Sequence, residues 1–247
     1  MWPTYRHDVT MKKNWQNVGF VIPALNEEEA IGGVVAGLRS RGITQIVVCD
    51  NGSRDKTAEV AQRAGALVVR EPERGYGAAC LRAIDALSPS TEIIGFVDGD
   101  GSDNLDDLPH LLNPILSDTA DFVIASRARG EAESGALTPP QRLGNFIASS
   151  WLRYRFGQAT SDLGPFRAIK KSAYQNLGMK DRNYGWTVEM QIKAARKGLR
   201  YSEFPTNYAR RIGTSKVSGT VRGTFGAGFK IIGLLWLYDF GSPRDSE

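Results

Sequence analysis

Short apolar runs alternate with amphipathic segments along the first half of the chain. The runs have the length and the β-branched content of strands that are buried in a sheet. The strand-like runs are residues 18–22, 43–50, 66–71, 92–98 and 121–127. The segments between them place apolar residues three or four positions apart, as Ile31, Val34, Val35 and Leu38 are, which is the spacing of one helix face. Alternating strands and helices predict an α/β fold with a Rossmann-like, doubly wound and mostly parallel sheet.

The turns between these segments carry capping signals. Pro23 ends the first strand-like run. Asn26, followed three positions later by Glu29, resembles a capping box and predicts the start of the first helix. After the second run, Ser53 or Asp55 can cap the helix that follows. These signals predict short connections between each strand and its helix.

The second half of the chain has a weaker pattern. Residues 130–140 read as a flexible loop, and residues 141–157 read as a helix with a cluster of apolar and aromatic side chains. No clean linker interrupts the chain, so we expect a single domain. The expected division is an N-terminal extension at residues 1–17, the domain at residues 18–223, and a C-terminal amphipathic, apolar helix with its tail at residues 224–247.

Composition narrows the class of protein. Hydrophobic residues make up 41% of the 247 positions, which is enough for a sizeable core. The only cysteines, Cys49 and Cys80, stand among apolar residues, so we expect them to be buried and reduced. Two histidines argue against histidine-rich metal chemistry. No signal peptide and no apolar run of about 20 residues is visible, so we expect a cytoplasmic protein.

Charge is uneven along the chain. The net charge is +4, and between Arg196 and Lys230 eight basic residues stand against one acid, Glu203. The apolar stretch at residues 224–240 follows this region and could lie in a membrane interface, which would make the protein peripheral on the cytoplasmic face. A helix packed on the core or on a second subunit is the alternative, so a homo-oligomer stays open. We expect no nucleic-acid partner.

An acidic cluster follows the fourth strand-like run. The sequence FVDGDGSD places Asp98, Asp100 and Asp103 within six positions. A polar turn explains such a cluster, and so does a site for Mg²⁺ or Mn²⁺, which prefer oxygen ligands and often share them with phosphates. Ligands of doubly wound sheets bind at the carboxyl ends of the strands. Those ends carry Asn26, Glu27, Asp50, Asp98, Asp100 and Arg127, which we expect to converge on one edge.

Two nucleotide-binding motifs are weak or missing. The segment GYGAAC begins with G-x-G but lacks the third glycine and an apolar strand directly before it. The chain contains no G-x-x-x-x-G-K-[ST] phosphate loop. A dinucleotide-binding protein is therefore poorly supported.

Five motifs together resemble family 2 glycosyltransferases. In order, they are VIPALNEEEAI, DNGSRDKT, FVDGDGSD, SDLGPFRAI and RRIGTSK, and the resemblance covers about residues 18–219. The chain looks most like the branch of dolichyl- or polyprenyl-phosphate mannose (or glucose) synthases. The resemblance implies a GT-A fold, a nucleotide-diphosphate sugar donor, Mg²⁺ or Mn²⁺, and inversion at the anomeric carbon.

The resemblance also implies roles for particular residues. Asp98 and Asp100 match the metal-binding pair, with Asp100 as the direct ligand, and Asp100, Arg127 and Glu189 match catalytic positions. The implied substrate-binding set is Pro23, Leu25, Asn26, Glu27, Asp50, Gly52, Asp98, Gly99, Ser102, Arg127, Arg210, Ser215 and Lys216. Many lipid-phosphate mannose synthases carry an aromatic residue in place of Leu25 and Gln in place of Ser102. These departures leave the sugar and the acceptor class open.

The resulting hypothesis is an inverting enzyme that moves a hexose from a GDP-mannose or UDP-glucose type donor to a polyprenyl or dolichyl phosphate at the membrane surface. Two alternatives are a soluble glycosyltransferase that acts on a hydroxyl group and a non-catalytic nucleotide-sugar-binding protein. A phosphate acceptor is already ionised at neutral pH, whereas a hydroxyl would need a base. Glu189 is the candidate base, and a helix-surface acid is the alternative for that residue.

Overall fold

The computed structural model describes residues 15–213, in which seven strands form one sheet. The strands are β1 (Val18–Ala24), β2 (Gln45–Asp50), β3 (Leu67–Arg70), β4 (Ile93–Phe96), β5 (Phe122–Ser126), β6 (Arg167–Lys170) and β7 (Tyr201–Pro205). The helices are α1 (Ile31–Ser40), α2 (Thr57–Arg63), α3 (Tyr76–Asp85), α4 (Leu108–Leu116), α5 (Pro139–Phe156), α6 (Lys171–Leu177) and α7 (Trp186–Arg196), with a 3₁₀ turn at Leu105–Asp107.

The sheet has the order β3-β2-β1-β4-β6-β5-β7. All neighbouring strands are parallel except at β6, which runs antiparallel to both β4 and β5. The predicted α/β fold with a mostly parallel sheet is therefore confirmed. Each of the five strand-like runs contains one of the parallel strands.

The prediction for the first turn is wrong in two details. Strand β1 continues through Pro23 to Ala24. The backbone N–H that a residue other than proline would have at position 23 would lie on the β4 side of the strand, as the Val21 carbonyl does. Because the pairing of β1 with β4 already ends at Val21, the missing N–H of Pro23 costs no hydrogen bond of the sheet. Helix α1 begins only at Ile31, and Asn26 does not cap it but lies in the left-handed region with φ 52°. A loop of residues 25–30 therefore separates strand and helix.

Helices cover both faces of the sheet, as a buried parallel sheet requires. One face packs against α1, α2 and α4, and the other packs against α3, α6 and α7. Cys49 and Cys80 are buried free thiols on the second face, in agreement with the predicted burial. A smaller apolar cluster joins α5 to α7.

The fold directs several loops to one edge of the sheet. The carboxyl ends of β1, β2 and β4 open into residues 25–30, 51–56 and 97–104. Within residues 15–213, no helix is both long and apolar enough to cross a bilayer. The predictions for Ser215, Lys216 and the tail at residues 224–247 lie outside the described residues.

Candidate active site

The acidic loop after β4 is held by a network of hydrogen bonds. Asp98 accepts a bond from the Tyr76 hydroxyl at 3.1 Å, and the Asp98 backbone N–H donates to Asp103 Oδ2 at 3.3 Å. Asp100 Oδ1 accepts from the N–H and the hydroxyl of Ser102, at 3.0 and 2.5 Å. Asp103 Oδ1 is buried and has no hydrogen-bond partner among the described residues. The loop thus keeps three carboxyls close together with part of their bonding capacity unused.

The electrostatics of this loop suit a cation better than a plain turn. Burial and then the neighbouring Asp100 carboxylate raise the pKa of Asp98 to about 7. Burial and the carboxylates of Asp98 and Asp100 also raise the pKa of Asp103 well above its usual value. A bound cation would relieve this mutual repulsion. Across residues 15–213, however, no three His, Cys, Asp or Glu side chains group to hold a metal by themselves, so further ligands would have to come from a substrate.

Arg211 is a residue of this site that the sequence analysis missed. Its Nη2 lies 2.6 Å from Glu27 Oε1, and its Nη1 lies 3.5 Å from Asp100 Oδ2. Its Nε is buried without a hydrogen-bond partner within the described part of the chain. The guanidinium therefore links the loop after β1 to the loop after β4. The sequence does contain Arg211 directly after Arg210, but only Arg210 stands at the arginine position of the family motif.

The loops after β1 and β2 are fastened to each other. The Asn26 N–H donates to Ser53 Oγ at 2.9 Å, and Asn26 Oδ1 accepts from the Arg54 N–H at 2.7 Å. The Glu27 N–H donates to Thr57 Oγ1 at 2.8 Å. The capping role predicted for Asn26 is thus replaced by a bridge to the neighbouring turn.

Asp50 organises the turn at the end of β2. Its Oδ1 accepts from the Ser53 N–H at 2.9 Å. Gly52 adopts φ +82°, which favours glycine, and its carbonyl accepts from Arg74 at 3.0 Å. Asp55 accepts from the Thr57 N–H at 3.0 Å, but the N-cap of α2 is Lys56, so the predicted capping by Ser53 or Asp55 is wrong. The bond to Ser53 thus orients the buried Asp50 carboxyl at this edge of the sheet.

Three further residues of the predicted substrate-binding set lie at the same edge. Pro23 and Leu25 are half-buried where β1 ends. Gly99 is buried between the two aspartates, and a side chain there would approach Ile31 Cδ1 to 3.2 Å. A side chain in place of Gly99 would therefore require Ile31 to shift by a few tenths of an ångström.

Arg127 follows β5 and is fixed by a buried ion pair. Its Nε and Nη2 donate to the two oxygens of Asp162 at 2.9 and 2.8 Å, and its backbone N–H donates at 2.7 Å. Its guanidinium carbon also lies 5.1 Å from the centre of the Tyr208 ring. Burial raises the pKa of Asp162, but the Arg127 guanidinium outweighs this and holds that pKa below its usual value. Asp162 was not singled out from the sequence, although it lies in the SDLGPFRAI motif.

Glu189 is not the helix-surface acid that was the alternative reading. It is 2% exposed, and its carboxylate accepts from the N–H groups of Lys180 and Asp181, at 3.1 and 2.7 Å. Lys193 Nζ lies 2.8 Å from the same carboxylate. These contacts hold the loop before α7. The role of Glu189 as a base stays a prediction.

That loop also accounts for the glycines of the GYGAAC segment. The Gly77 and Ala78 N–H groups at the beginning of α3 donate to the carbonyls of Asn183 and Arg182. A side chain on Gly77 would meet the Asp181 carbonyl at 2.1 Å. The glycines therefore allow close packing of backbone, and the N–H groups that a dinucleotide phosphate would need are already used.

The segment after β7 runs along the acidic loop. The N–H groups of Ala209 and Ile212 donate to the carbonyls of Ser102 and Asp100, at 3.0 and 2.9 Å. Arg210 faces the other way, because its N–H donates to Glu133 Oε2 at 2.8 Å and its Nε donates to a carbonyl of the same loop. An open cavity of about 540 Å³ lies between the acidic loop, residues 131–133 and residues 207–209.

The fold and this acidic edge define a class, the GT-A glycosyltransferases. A model of glycosyl transferase family 2 matches residues 20–178, and the chain belongs to this family. The predicted family is thereby confirmed, with four of the five motifs inside the matched residues and RRIGTSK beyond them, and the chain is a glycosyltransferase.

The relatives and the solved structures agree with this assignment. An uncharacterized glycosyltransferase of Mycobacterium tuberculosis is 39% identical over 209 residues, or 84% of this chain and 92% of that protein. A dolichyl-phosphate hexose transferase of Haloferax volcanii is 30% identical over 82% of this chain and 87% of its own length. Glucosyl-3-phosphoglycerate synthase from M. tuberculosis, solved with Mn²⁺, UDP-glucose and phosphoglyceric acid, has a TM-score of 0.74 at 21% identity, with 97% and 87% of the two chains covered. This last likeness is one of fold.

Proposed function

We propose that the chain is an inverting hexosyltransferase that uses a nucleotide-diphosphate sugar, of the GDP-mannose or UDP-glucose type, and transfers the hexose to a polyprenyl or dolichyl phosphate. The single observation that carries the proposal is the group of carboxyls at Asp98, Asp100 and Asp103, with the positive charge of Arg211 beside it. In a family 2 glycosyltransferase such a group suits a donor diphosphate that arrives with a cation.

Asp98 and Asp100 would hold Mg²⁺ or Mn²⁺. Asp103 Oδ1, which has no hydrogen-bond partner in the described part of the chain, and the raised pKa values of Asp98 and Asp103 support this fit. The cation, when bound, would neutralise the negative charge that grows on the leaving diphosphate. Ser102 keeps the Asp100 carboxylate in one orientation through two hydrogen bonds. Because the carboxylate is already oriented, it needs no reorganisation when the reaction takes place.

The other residues of this edge would bind the rest of the donor. Asp50, Asn26 and Leu25 would contact the base and ribose, because they lie where β1 and β2 end. Arg211 would stabilise the diphosphate, since its guanidinium lies 3.5 Å from Asp100 and its Nε has no hydrogen-bond partner among residues 15–213. In a single displacement, an acceptor oxygen attacks the anomeric carbon as the bond to the diphosphate breaks, which inverts that centre.

A phosphate acceptor is the first choice because it needs little help from a base. The carboxylate of Glu189 is committed to backbone N–H groups and to Lys193, which fits a reaction without a base at that position. Two relatives are named as dolichyl-phosphate transferases, one for a hexose and one, from Methanococcus voltae, for N-acetylglucosamine. A polyprenyl-phosphate acceptor implies a peripheral protein at a membrane surface, which we propose for the cytoplasmic face.

A hydroxyl acceptor is the second candidate. The cavity beside the acidic loop is lined by Asp103, Glu131 and Glu133, so a hydroxyl that bound there would find a carboxylate base. The solved structure that contains phosphoglyceric acid together with UDP-glucose is an example of this fold with a small polar molecule bound in addition to a nucleotide sugar. This cavity, rather than Glu189, is the observation that favours the candidate.

A donor and acceptor screen tests both candidates. Radiolabelled GDP-mannose and UDP-glucose are incubated with the full chain, with Mg²⁺ or Mn²⁺, and with either a short polyprenyl phosphate in detergent or a panel of soluble acceptors. We expect label in the organic phase, and none with the Asp100→Asn variant. Label only in soluble products would favour the hydroxyl candidate, and donor binding without turnover would contradict both.

A further inference from the structure

Helix α5 presents a row of apolar side chains to solvent. Leu143, Phe146, Ile147 and Tyr154 are 61%, 64%, 41% and 90% exposed. Their spacing of three, four and eleven positions from Leu143 puts them on one face of the helix. Contiguous exposed apolar surface of this kind marks a binding surface more often than a chance arrangement. We call these four side chains the α5 apolar face.

The opposite face of α5 is anchored, so the orientation of the helix is fixed. Ala148 and Leu152 are buried against α7. Asn145 Nδ2 donates to the Ser161 carbonyl at 3.0 Å, and Asn145 Oδ1 accepts from the Leu163 N–H at 2.8 Å. Thr138 and Gln141 form a capping box at the beginning of the helix. The α5 apolar face is therefore exposed because the other face is needed for packing.

The charge on α5 has one sign. Residues 139–156 contain three arginines and no Asp or Glu. Arg142, Arg153 and Arg155 are all exposed. By helical spacing, Arg142 and Arg153 lie along one side of the apolar face and Arg155 lies along the other. A basic border around an apolar face complements an anionic lipid surface, where each arginine adds to the attraction.

We propose that the α5 apolar face docks the protein onto a membrane that contains anionic lipid, with the helix lying in the plane of the interface. The inference deepens the proposed transfer to a polyprenyl phosphate and rests on it for its biological sense. The apolar side chains enter the acyl boundary and the arginines meet the lipid phosphates. Because α5 carries polar side chains on its flanks and is packed on α7, it lies on the surface and does not cross it.

The position of α5 in the fold connects this surface to the candidate active site. The helix begins six positions after Glu133, which lines the cavity beside the acidic loop. Through Asn145, the same helix holds the segment of Asp162, which fixes Arg127. Docking through α5 would therefore bring a lipid headgroup to the side of the molecule where the 131–133 loop opens.

Vesicle binding of the full chain tests the inference. The protein is mixed with sedimentable vesicles of phosphatidylcholine alone or with phosphatidylglycerol added, at low and high salt. The first variant, Phe146→Ser with Ile147→Ser, removes apolar burial and should lower the partition coefficient at least about ten-fold. The second variant, Arg142→Gln with Arg153→Gln, should remove much of the dependence on phosphatidylglycerol and on salt. Circular dichroism and the melting temperature establish that each variant is folded.

A matched control uses exposed leucines elsewhere on the molecule. Leu67 in β3 and Leu116 in α4 are 54% and 49% exposed, and Leu67→Ser with Leu116→Ser should leave vesicle binding unchanged. The inference is overturned if the Phe146→Ser, Ile147→Ser variant binds like the unmodified protein, because the attachment then lies elsewhere. It is also overturned if the unmodified protein ignores anionic vesicles, or if that variant only converts a dimer into a monomer in size-exclusion chromatography.

Failure of this inference and failure of the proposed function give different results. Transfer to a short polyprenyl phosphate in detergent needs no membrane docking, so the α5 variants should retain it. If the α5 variants lose vesicle binding and no form of the protein transfers the sugar, the result would support the α5 apolar face as the docking surface and contradict the proposed polyprenyl-phosphate acceptor. If the protein transfers the sugar in detergent and the α5 variants bind vesicles normally, the result would support the acceptor and contradict the docking surface.

Discussion

The buried pair of Arg127 and Asp162 yields the sharpest prediction for this protein. The change is Asp162→Asn, which keeps the shape of the side chain and removes its charge. Arg127 then stays buried with a neutral partner in place of a carboxylate that accepted two side-chain bonds and one backbone bond. The side chains of the pair are 15% and 1% exposed, so water cannot replace the lost charge.

The expected loss follows from that burial. Breaking one side of a buried ion pair costs about 3–5 kcal/mol in the free energy of unfolding. For a chain of this size, each kcal/mol lowers the melting temperature by roughly 2–4 °C, so the variant should melt roughly 6–20 °C lower. Asp106→Asn is the control. It breaks an ion pair of 2.6 Å with Arg41, but the side chains are 35% and 78% exposed, so about 0–1 kcal/mol should be lost.

The assay is urea unfolding and thermal melting of the unmodified protein and both variants, over a range of pH. The pKa of Asp162 is lowered in the folded state, so the stability that it contributes is present above its unfolded pKa and is lost as the pH falls through its folded pKa. The gap between the unmodified protein and Asp162→Asn should therefore be constant at neutral pH and narrow below about pH 4.

Two results would refute this reasoning. Equal melting temperatures for Asp162→Asn and Asp106→Asn would mean that the buried pair contributes no more than the exposed one. Arg127→Lys provides the second test, because lysine cannot reproduce the two-pronged bond. If that variant lost transfer while keeping its melting temperature, Arg127 would act mainly on the substrate, as the family resemblance implies.

Three further predictions concern the candidate site. Asp100→Asn, or treatment with EDTA, should abolish transfer at an unchanged melting temperature, and residual turnover would contradict a metal held by Asp100. Arg211→Ala should weaken donor binding about ten-fold or more in calorimetry, because a charged hydrogen bond contributes about 1.5–3 kcal/mol. Arg210→Ala should weaken donor binding less than Arg211→Ala does, because Arg210 faces residues 133–134. A larger effect of Arg210→Ala would instead support Arg210 as the substrate-binding arginine, as the family motif implies. Glu189→Gln should lower the melting temperature with kcat nearly unchanged, and a large, pH-dependent loss of kcat at constant stability would identify a base.

The local pattern of the sequence was enough to predict the frame of the protein. Strand-like runs and helical spacing depend on residues within a few positions of each other, so the alternation of strands and helices was visible without a structure. The same holds for the acidic loop, since Asp98 and Asp100 follow a buried strand directly. Parallel strands place their carboxyl ends at one edge, which located the candidate site.

The first turn shows where this local reading stops. Asn26 and Glu29 have the spacing of a helix cap, yet Asn26 bonds to the turn after β2. Those partners lie 27 and 28 positions away along the chain, and a local pattern contains no information on them. The antiparallel insertion of β6 between β4 and β5 has the same origin, because only the packing of the second half decides which strands become neighbours.

The tertiary structure alone decided which charged side chains meet. Arg211 reaches Glu27 across 184 positions, Arg127 is held by Asp162 across 35 positions, and Glu189 is turned inward to a backbone loop. The first two contacts depend on the fold bringing distant loops within about 3 Å of each other, the range of a hydrogen bond, and the third depends on how α7 packs against the loop before it. The sequence determined which charges are present at the strand ends. The folded chain determined which of them neutralise one another and which keep, among the described residues, an oxygen or nitrogen without a hydrogen-bond partner.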